Sequence, residues 1–99
     1  MIYKKLVNII DEFLYSKKSK GLAEKFCNMY MDIFYDVCDE LEKEVTKMQY
    51  DIFDDINLLC DLYEDNDAIR ESDPNCIDEI KLREKLKVLR QKINIIFSN

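Results

Sequence analysis

Carboxylates are the side chains of this sequence that could do chemistry or bind a charged partner. The chain has 21 Asp and Glu residues, 15 Lys and Arg residues and no His, for a net charge of −6. Without His, Ser-His and Cys-His nucleophile pairs and Glu-x-x-His metal ligands are excluded. An enzyme built on carboxylates alone would need a defined cleft and a raised carboxyl pKa, which no sequence pattern indicates. We therefore expect a protein that is not an enzyme.

The acidic residues are concentrated in the middle of the chain. Residues 32–79 contain three basic and seventeen acidic residues, a net charge of −14, whereas residues 1–31 and 80–99 carry +3 and +5. Crowded like charges destabilise a compact chain, so this segment predicts a binding partner. The candidate binding residues are Asp51, Asp54, Asp55, Asp61, Tyr63, Glu64, Asp65, Asp67, Glu71, Asp73, Asp78 and Glu79.

The four cysteines predict neither a disulfide nor a metal site. Cys27 and Cys38 would lie roughly 16 Å apart on one helix, beyond disulfide reach. No Cys-x-x-Cys pair indicates zinc, and the acidic loop lacks the EF-hand pattern, so we expect no metal and no cofactor. At least two cysteines should be buried as small hydrophobic residues. No stretch is typical of a signal peptide or a membrane span, so we expect a cytoplasmic protein without membrane contact.

Composition predicts the fold that carries these side chains. One Gly and one Pro, with 47% apolar and 36% charged residues, favour an all-α protein: a single domain, residues 1–99, folded as an antiparallel four-helix bundle. The helices are predicted at Ile2–Tyr15, from Leu22 towards Val37, from about residue 41 to Tyr63, and from an N-cap at Asp78 onward.

Two patterns compete at the boundary between the second and third helices. Asp39 and Glu42 have the spacing of a capping box, which places a turn near residues 38–40. A continuous helix of about 60 Å from Leu22 to Tyr63 is the alternative, because no Gly or Pro interrupts it. One apolar stripe of the third helix is predicted to comprise Leu41, Val45, Met48, Ile52, Ile56, Leu59 and Tyr63.

Three further placements follow from helical spacing. Tyr30 and Tyr35 fall beside the stripe of the second helix and should lie at the border of the core, with their hydroxyls in water. Tyr63 is either a core residue or an interface anchor. The last helix should carry a basic outer face that balances the third helix, rather than one that binds nucleic acid. That face comprises Lys81, Arg83, Lys85, Lys87, Arg90 and Lys92.

The order of several short segments resembles the family of colicin D immunity proteins and related self-protective bacterial immunity proteins. The first segment is Phe13-Leu-Tyr-Ser-Lys-Lys-Ser-Lys-Gly-Leu-Ala-Glu-Lys-Phe26. The others are Asp61-Leu62-Tyr63, Ala68-Ile69-Arg70, and Ile77-Asp78-Glu79 leading to Leu82-Arg83. The resemblance covers roughly residues 9 to 93. The loop departs from the family at Glu64-Asp65 and before Ile77.

The resemblance implies a protein that binds a nuclease toxin made by the same cell and blocks its active site. The partner would be a basic toxin domain, such as a tRNA-cleaving ribonuclease of the colicin D-like or contact-dependent-inhibition type. The acidic surface would occupy the phosphate-binding cleft, with no direct contact to nucleic acid and with a monomer when free. The alternative is an acidic helical adaptor or oligomerisation module, whose carboxylates serve solubility.

Overall fold

The computed structural model describes residues 1–98, and it is helical throughout. The helices are α1 (Ile2–Tyr15), α2 (Leu22–Glu44), α3 (Lys47–Leu62), α4 (Asp67–Ser72) and α5 (Glu79–Phe97). Apart from one isolated bridge between Tyr63 and Ile77, the described residues form no β-structure. The prediction of an all-α protein is confirmed, with five helices where the sequence predicted four.

The first break lies where the sequence placed it. The hydroxyl of Ser16 donates a hydrogen bond to the Phe13 carbonyl, and the Ser16 backbone is extended. The chain re-enters a helix at Gly21, whose φ of 80° lies in the left-handed region, a conformation that glycine adopts at little cost.

The turn between α2 and α3 is not where the sequence predicted it. Residues 38–40 lie inside α2, which continues to Glu44. The break falls at Val45 and Thr46, because the Thr46 hydroxyl accepts a hydrogen bond from the Gln49 amide (3.2 Å) and the Gln49 side chain accepts one from the Thr46 amide (2.9 Å). This capping box satisfies two amides that a helix start leaves open. Both the Asp39–Glu42 box and the continuous helix are therefore wrong.

Moving the turn divides the predicted stripe. Leu41 is fully buried, but in α2. Val45 lies in the turn, and Met48 is 67% exposed. In α3 the buried positions are Ile52, Phe53, Ile56, Leu59 and Cys60, two of which the stripe omitted.

An aromatic cluster joins α1, α2 and α3. The rings of Phe13 and Phe26 stack with centroids 4.4 Å apart, and Tyr30 follows one turn later on α2. Tyr30 is fully buried, and its hydroxyl donates a 2.9 Å hydrogen bond to the Phe53 carbonyl. The prediction of a water-exposed Tyr30 hydroxyl is wrong, because α3 supplies an acceptor inside the core. Tyr35 is exposed.

The last helix begins at the predicted cap, since Asp78 accepts a hydrogen bond from the Lys81 amide (2.9 Å). The outer face of α5 does not present all of its basic side chains to solvent. Arg90 pairs with Asp11 of α1 (2.6 Å), and Arg83 also contacts α1. Within residues 1–98 no ion pair links α5 to α3. The predicted charge balance between these two helices is thus replaced by contacts with α1. None of the described helices is long and apolar enough to cross a membrane.

Candidate functional site

The acidic loop after α3 is held in one shape by its own hydrogen bonds. The Ile77 amide donates to the Leu62 carbonyl (2.9 Å), and the Glu64 amide donates to the Ile77 carbonyl (3.0 Å). Inside this closure, the Asn66 side chain accepts hydrogen bonds from the first amides of α4. The sequence predicted an irregular loop here, and the structure has a capped helix of six residues. The carboxylates on this segment are therefore fixed relative to α3 and α5.

Arg70 provides the loop with an internal cation. Its guanidinium donates hydrogen bonds to the Glu64 carbonyl and to the carboxylate of Asp67. Its side chain is largely shielded, whereas that of Asp67 is open to solvent. The positive charge of Arg70 is therefore engaged by groups of the loop itself. The outer carboxylates then determine the electrostatic potential of the surface.

Two neighbouring hollows lie at this end of the molecule. The first, which we name the α2–α3 hollow, has a volume of about 140 Å³ and is lined by Glu24, Cys27, Asn28, Met31, Cys60, Asp61, Tyr63, Glu64 and Asp65. The second, the loop hollow, has a volume of about 270 Å³ and is lined by Lys18, Tyr63, Asp65, Asp67, Arg70, Asp78, Glu79 and Ile80. Tyr63 and Asp65 belong to both and form the ridge between them.

All the charged side chains that line the α2–α3 hollow are acidic. Four carboxylates line it, and among the described residues no Lys or Arg does. The loop hollow, in contrast, contains Lys18 and Arg70 beside its acids. A cationic side chain from a partner would therefore meet uncompensated negative charge only in the α2–α3 hollow.

Tyr63 connects the site to the core. Its ring packs against the buried cluster, and its hydroxyl donates a 3.1 Å hydrogen bond to a carboxylate oxygen of Asp65. Burial, followed by this hydrogen bond, raises the pKa of Tyr63 above its ordinary value, so the hydroxyl stays protonated and keeps donating. Both predicted roles, core residue and interface anchor, are compatible with this position.

The floor of the α2–α3 hollow is formed by two thiols. Cys27 and Cys60 are each 2% exposed and not joined by a disulfide. Interaction with the neighbouring Cys27 thiol, together with burial, raises the pKa of the Cys60 thiol far above its ordinary value. A protonated, buried thiol is a poor nucleophile. The prediction that at least two cysteines are buried as small hydrophobic residues is confirmed.

The twelve sequence-predicted residues do not form one face. Asp61, Tyr63, Glu64 and Asp65 line the α2–α3 hollow, and Asp67, Asp78 and Glu79 line the loop hollow. Asp55 lies on the other side of α3, against α5. Of the rest, Asp51 pairs with Lys47, Asp73 accepts from the Asn75 amide, and Asp54 is near Tyr30 and Tyr50. Glu71 lies within α4 and lines a further hollow together with Arg70 and Lys81.

Several of these carboxylates already have structural partners. Asp78 caps α5, Glu79 pairs with Arg83 at 2.9 Å, and Glu64 accepts from the Asn66 amide at 3.2 Å. Within residues 1–98 no side-chain hydrogen bond or ion pair involves Asp61, although it lines the α2–α3 hollow. Among the described residues Glu24 is equally without such a contact, so Asp61 and Glu24 are the two acids of the hollow that a partner can engage without breaking an existing contact of the fold.

Sequence reasoning missed the contribution of α2. Glu24, Asn28 and Met31 follow the helical steps of four and three, and all three line the α2–α3 hollow. Their spacing could have placed them on one face. The sequence held no signal that this face lies beside Asp61, because that depends on how α2 and α3 pack.

The described residues contain no group of three or more His, Cys, Asp or Glu side chains arranged to hold a metal ion. No family model, no curated protein and no solved structure matches the chain. The lining of the α2–α3 hollow is that of an anionic surface with Tyr63 beside four carboxylates.

Proposed function

We propose that this chain is an immunity protein that binds a cognate nuclease toxin in the cytoplasm and inhibits it by covering the basic active site. The toxin class is a tRNA-cleaving ribonuclease of the colicin D-like or contact-dependent-inhibition type. The observation that carries the proposal is the α2–α3 hollow, in which four carboxylates surround Tyr63 without a lining cation. The resemblance of the sequence to immunity proteins supplies the class of partner.

The physical basis is mimicry of a phosphate backbone. A ribonuclease binds its substrate through Lys and Arg side chains that contact phosphates. Carboxylates can replace those phosphates as acceptors, and a guanidinium can make paired hydrogen bonds to a carboxylate. The α2–α3 hollow has room for the end of one long side chain. We propose that an active-site Arg or Lys of the toxin enters it and contacts Asp61.

The arrangement also lowers the cost of binding. Asp65 is held by the Tyr63 hydroxyl and Glu64 by the Asn66 amide, so these groups lose little freedom when a partner arrives. The surrounding negative potential would steer a basic toxin towards the site, with association rates of about 10⁸ M⁻¹s⁻¹ at low salt. Such rates suit a protein whose partner is lethal at low copy number.

We interpret the supporting fold as an antiparallel four-helix bundle of α1, α2, α3 and α5, with α4 inserted in the loop. What supports this is the pattern of contacts. The α1 end residue Phe13 meets Phe26 near the start of α2, the start of α3 meets the end of α5 through Gln49 and Ile96, and Tyr3 meets Phe97. A rigid bundle would hold the acidic surface in place without a ligand.

The experiment uses the nuclease domain encoded by the neighbouring gene, which the proposal requires to be basic. Affinity for that domain is measured by calorimetry at low and high salt. Asp61→Lys should weaken binding by about 2–5 kcal/mol, as expected for a desolvated charge pair at an interface centre. Asp36→Lys is the matched control, since Asp36 is an exposed acid of α2 that does not line the hollow. Equal affinities of the two variants would refute the site.

Tyr63→Ala separates the two roles of the tyrosine. If the ring acts mainly in the core, truncation should lower the free energy of unfolding by about 3 kcal/mol. If it acts as an anchor, stability should be kept while toxin affinity is lost. A Tyr63→Phe variant keeps the ring and removes only the hydrogen bond to Asp65, so it tests whether the position of Asp65 matters for binding.

The second candidate function is an acidic helical adaptor or oligomerisation module. It is favoured by exposed apolar side chains on α3 and α5, Leu58 and Val88 among them. This candidate predicts no basic nuclease in the neighbouring gene and no effect of Asp61→Lys on any function of the chain.

A further inference from the structure

The outer side of the contact between α3 and α5 is an apolar groove, separate from the acidic hollows. It has a volume of about 360 Å³ and is lined by Asp55, Leu58, Leu59, Leu62, Lys85, Val88 and Leu89. Leu58 is 55% exposed, Val88 52% and Leu62 38%. Apolar side chains that share one groove and face water gain free energy when another surface covers them.

Further exposed apolar side chains lie elsewhere on the same two helices. Met48 near the start of α3 is 67% exposed, and Ile95 near the end of α5 is 72% exposed. The start of α3 and the end of α5 are neighbours, because the Gln49 side chain donates to the Ile96 carbonyl.

Opposite charges lie on the two sides of the α3–α5 groove. Asp55 stands on the α3 side, whereas Asp51, one helical turn earlier, is already paired with Lys47. Lys85 stands on the α5 side, with Lys81 one turn before it and exposed. Across the part of the chain that the structure describes, no ion pair joins the two sides. The groove thus has one acidic edge and one basic edge.

Such a surface is complementary to itself under one particular rotation. A twofold axis that lies in the interface and runs along the groove places α3 of one copy over α5 of the other, so that acidic edges meet basic edges. A twofold axis across the groove would place acid on acid. Isologous interfaces require self-complementary patches, and the charges select the first of the two axes.

We propose that a second copy of this chain covers the α3–α5 groove and forms a symmetric homodimer. Leu58, Leu62 and Val88 of each copy pack at its centre, and Asp55 pairs with Lys85 of the partner subunit.

The dimer differs from the sequence-based expectation of a free monomer, and it does not depend on the proposed function. The α2–α3 hollow lies on the other side of α3, since Asp61 faces α2 residues and Asp55 faces α5. Dimerisation leaves that hollow open. Loss of the dimer would not remove toxin binding, and loss of toxin binding would not remove the dimer.

Sedimentation equilibrium of the full chain over a wide concentration range tests the dimer. The expected mass is twice that of the 11.9 kDa chain. Asp55→Lys and Lys85→Asp should each weaken self-association at least about tenfold, because each makes both edges carry the same sign. Asp36→Lys and Lys87→Asp are the controls, because they make the same charge changes at exposed positions outside the groove.

Two combinations test the direction of the axis. Mixing the Asp55→Lys chain with the Lys85→Asp chain should form a one-to-one heterodimer, and a single chain with both substitutions should form a homodimer again. Circular dichroism checks that each variant is folded. A monomeric mass for the parent chain at the highest concentration would overturn the proposal and leave the groove to another protein. Dimers that withstand both single substitutions, or fail to recover in the mixture, would overturn it as well.

Discussion

Replacing Arg83 should destabilise the fold far more than its position on a basic helix face would predict. Its Nη1 donates to the carbonyls of Phe13 (3.0 Å) and Ser16 (3.3 Å), and its Nη2 to the Ser16 hydroxyl (3.3 Å). Its Nε pairs with Glu79 (2.9 Å), and its Cζ lies 4.2 Å from the centroid of the Phe13 ring. The guanidinium therefore caps the end of α1, where carbonyls lack helical partners.

The magnitude follows from these contacts. Hydrogen bonds from a charged donor contribute about 1.5–3 kcal/mol, and a partly shielded cation–π contact adds about 1 kcal/mol. The side chains of Arg83 and Glu79 are 17% and 12% exposed, so solvent weakens but does not remove these terms. We expect Arg83→Ala to lower the free energy of unfolding by about 3 kcal/mol, which for a chain of this size lowers Tm by about 15 °C.

Urea and thermal unfolding followed by circular dichroism provide the assay. Lys87→Ala on the same helix is the control, because Lys87 is exposed, and it should change stability by less than about 0.5 kcal/mol. Arg83→Lys keeps the charge but not the planar donor group, so about half of the loss should remain. If Arg83→Ala unfolds like the control, the contact of Arg83 with α1 does not stabilise the protein.

Three further predictions concern the core, the turn and the cysteines. Tyr30→Phe should cost about 1 kcal/mol by removing the hydrogen bond to α3, whereas Tyr35→Phe should cost nothing measurable. Burial raises the pKa of Tyr30 in the folded state. The stability that the protonated Tyr30 hydroxyl contributes is therefore complete below the unfolded pKa of about 10 and is lost as pH rises above that value. If the parent chain and the Tyr30→Phe variant showed the same alkaline pH dependence of stability, this expectation would be contradicted. Thr46→Ala should lower the free energy of unfolding by about 1 kcal/mol through loss of the cap, while Asp39→Ala should leave it unchanged. If Asp39→Ala were the more destabilising of the two, the turn would lie at residues 38–40 instead. Helix content measured by circular dichroism should not change on adding a chelator or a reductant, since the described cysteines are free; a large loss of helix under either treatment would show that a metal or a disulfide supports the fold.

Local signals predicted the parts of the fold that are governed by local interactions. The bounds of α1 and the Asp78 cap of α5 were correct, because an apolar stripe and a capping side chain act within a few residues of one another. The α2–α3 turn was misplaced because two capping patterns compete, Asp39 with Glu42 and Thr46 with Gln49. Leu41 is fully buried as part of α2. The burial of this apolar side chain favours an α2 that continues past residue 39.

A helical chain that is acidic at its centre and lacks His could be read from composition and residue order. Which acids share a surface depends on how the helices pack. Asp55 and Asp61 are both exposed on α3, yet one lines a groove with α5 and the other a hollow with α2. Likewise, Arg83 and Lys87 have the same charge and share a helix, but only Arg83 reaches the end of α1. Helical spacing places a side chain around its own axis, and the neighbour it meets depends on packing between helices that are distant in the sequence.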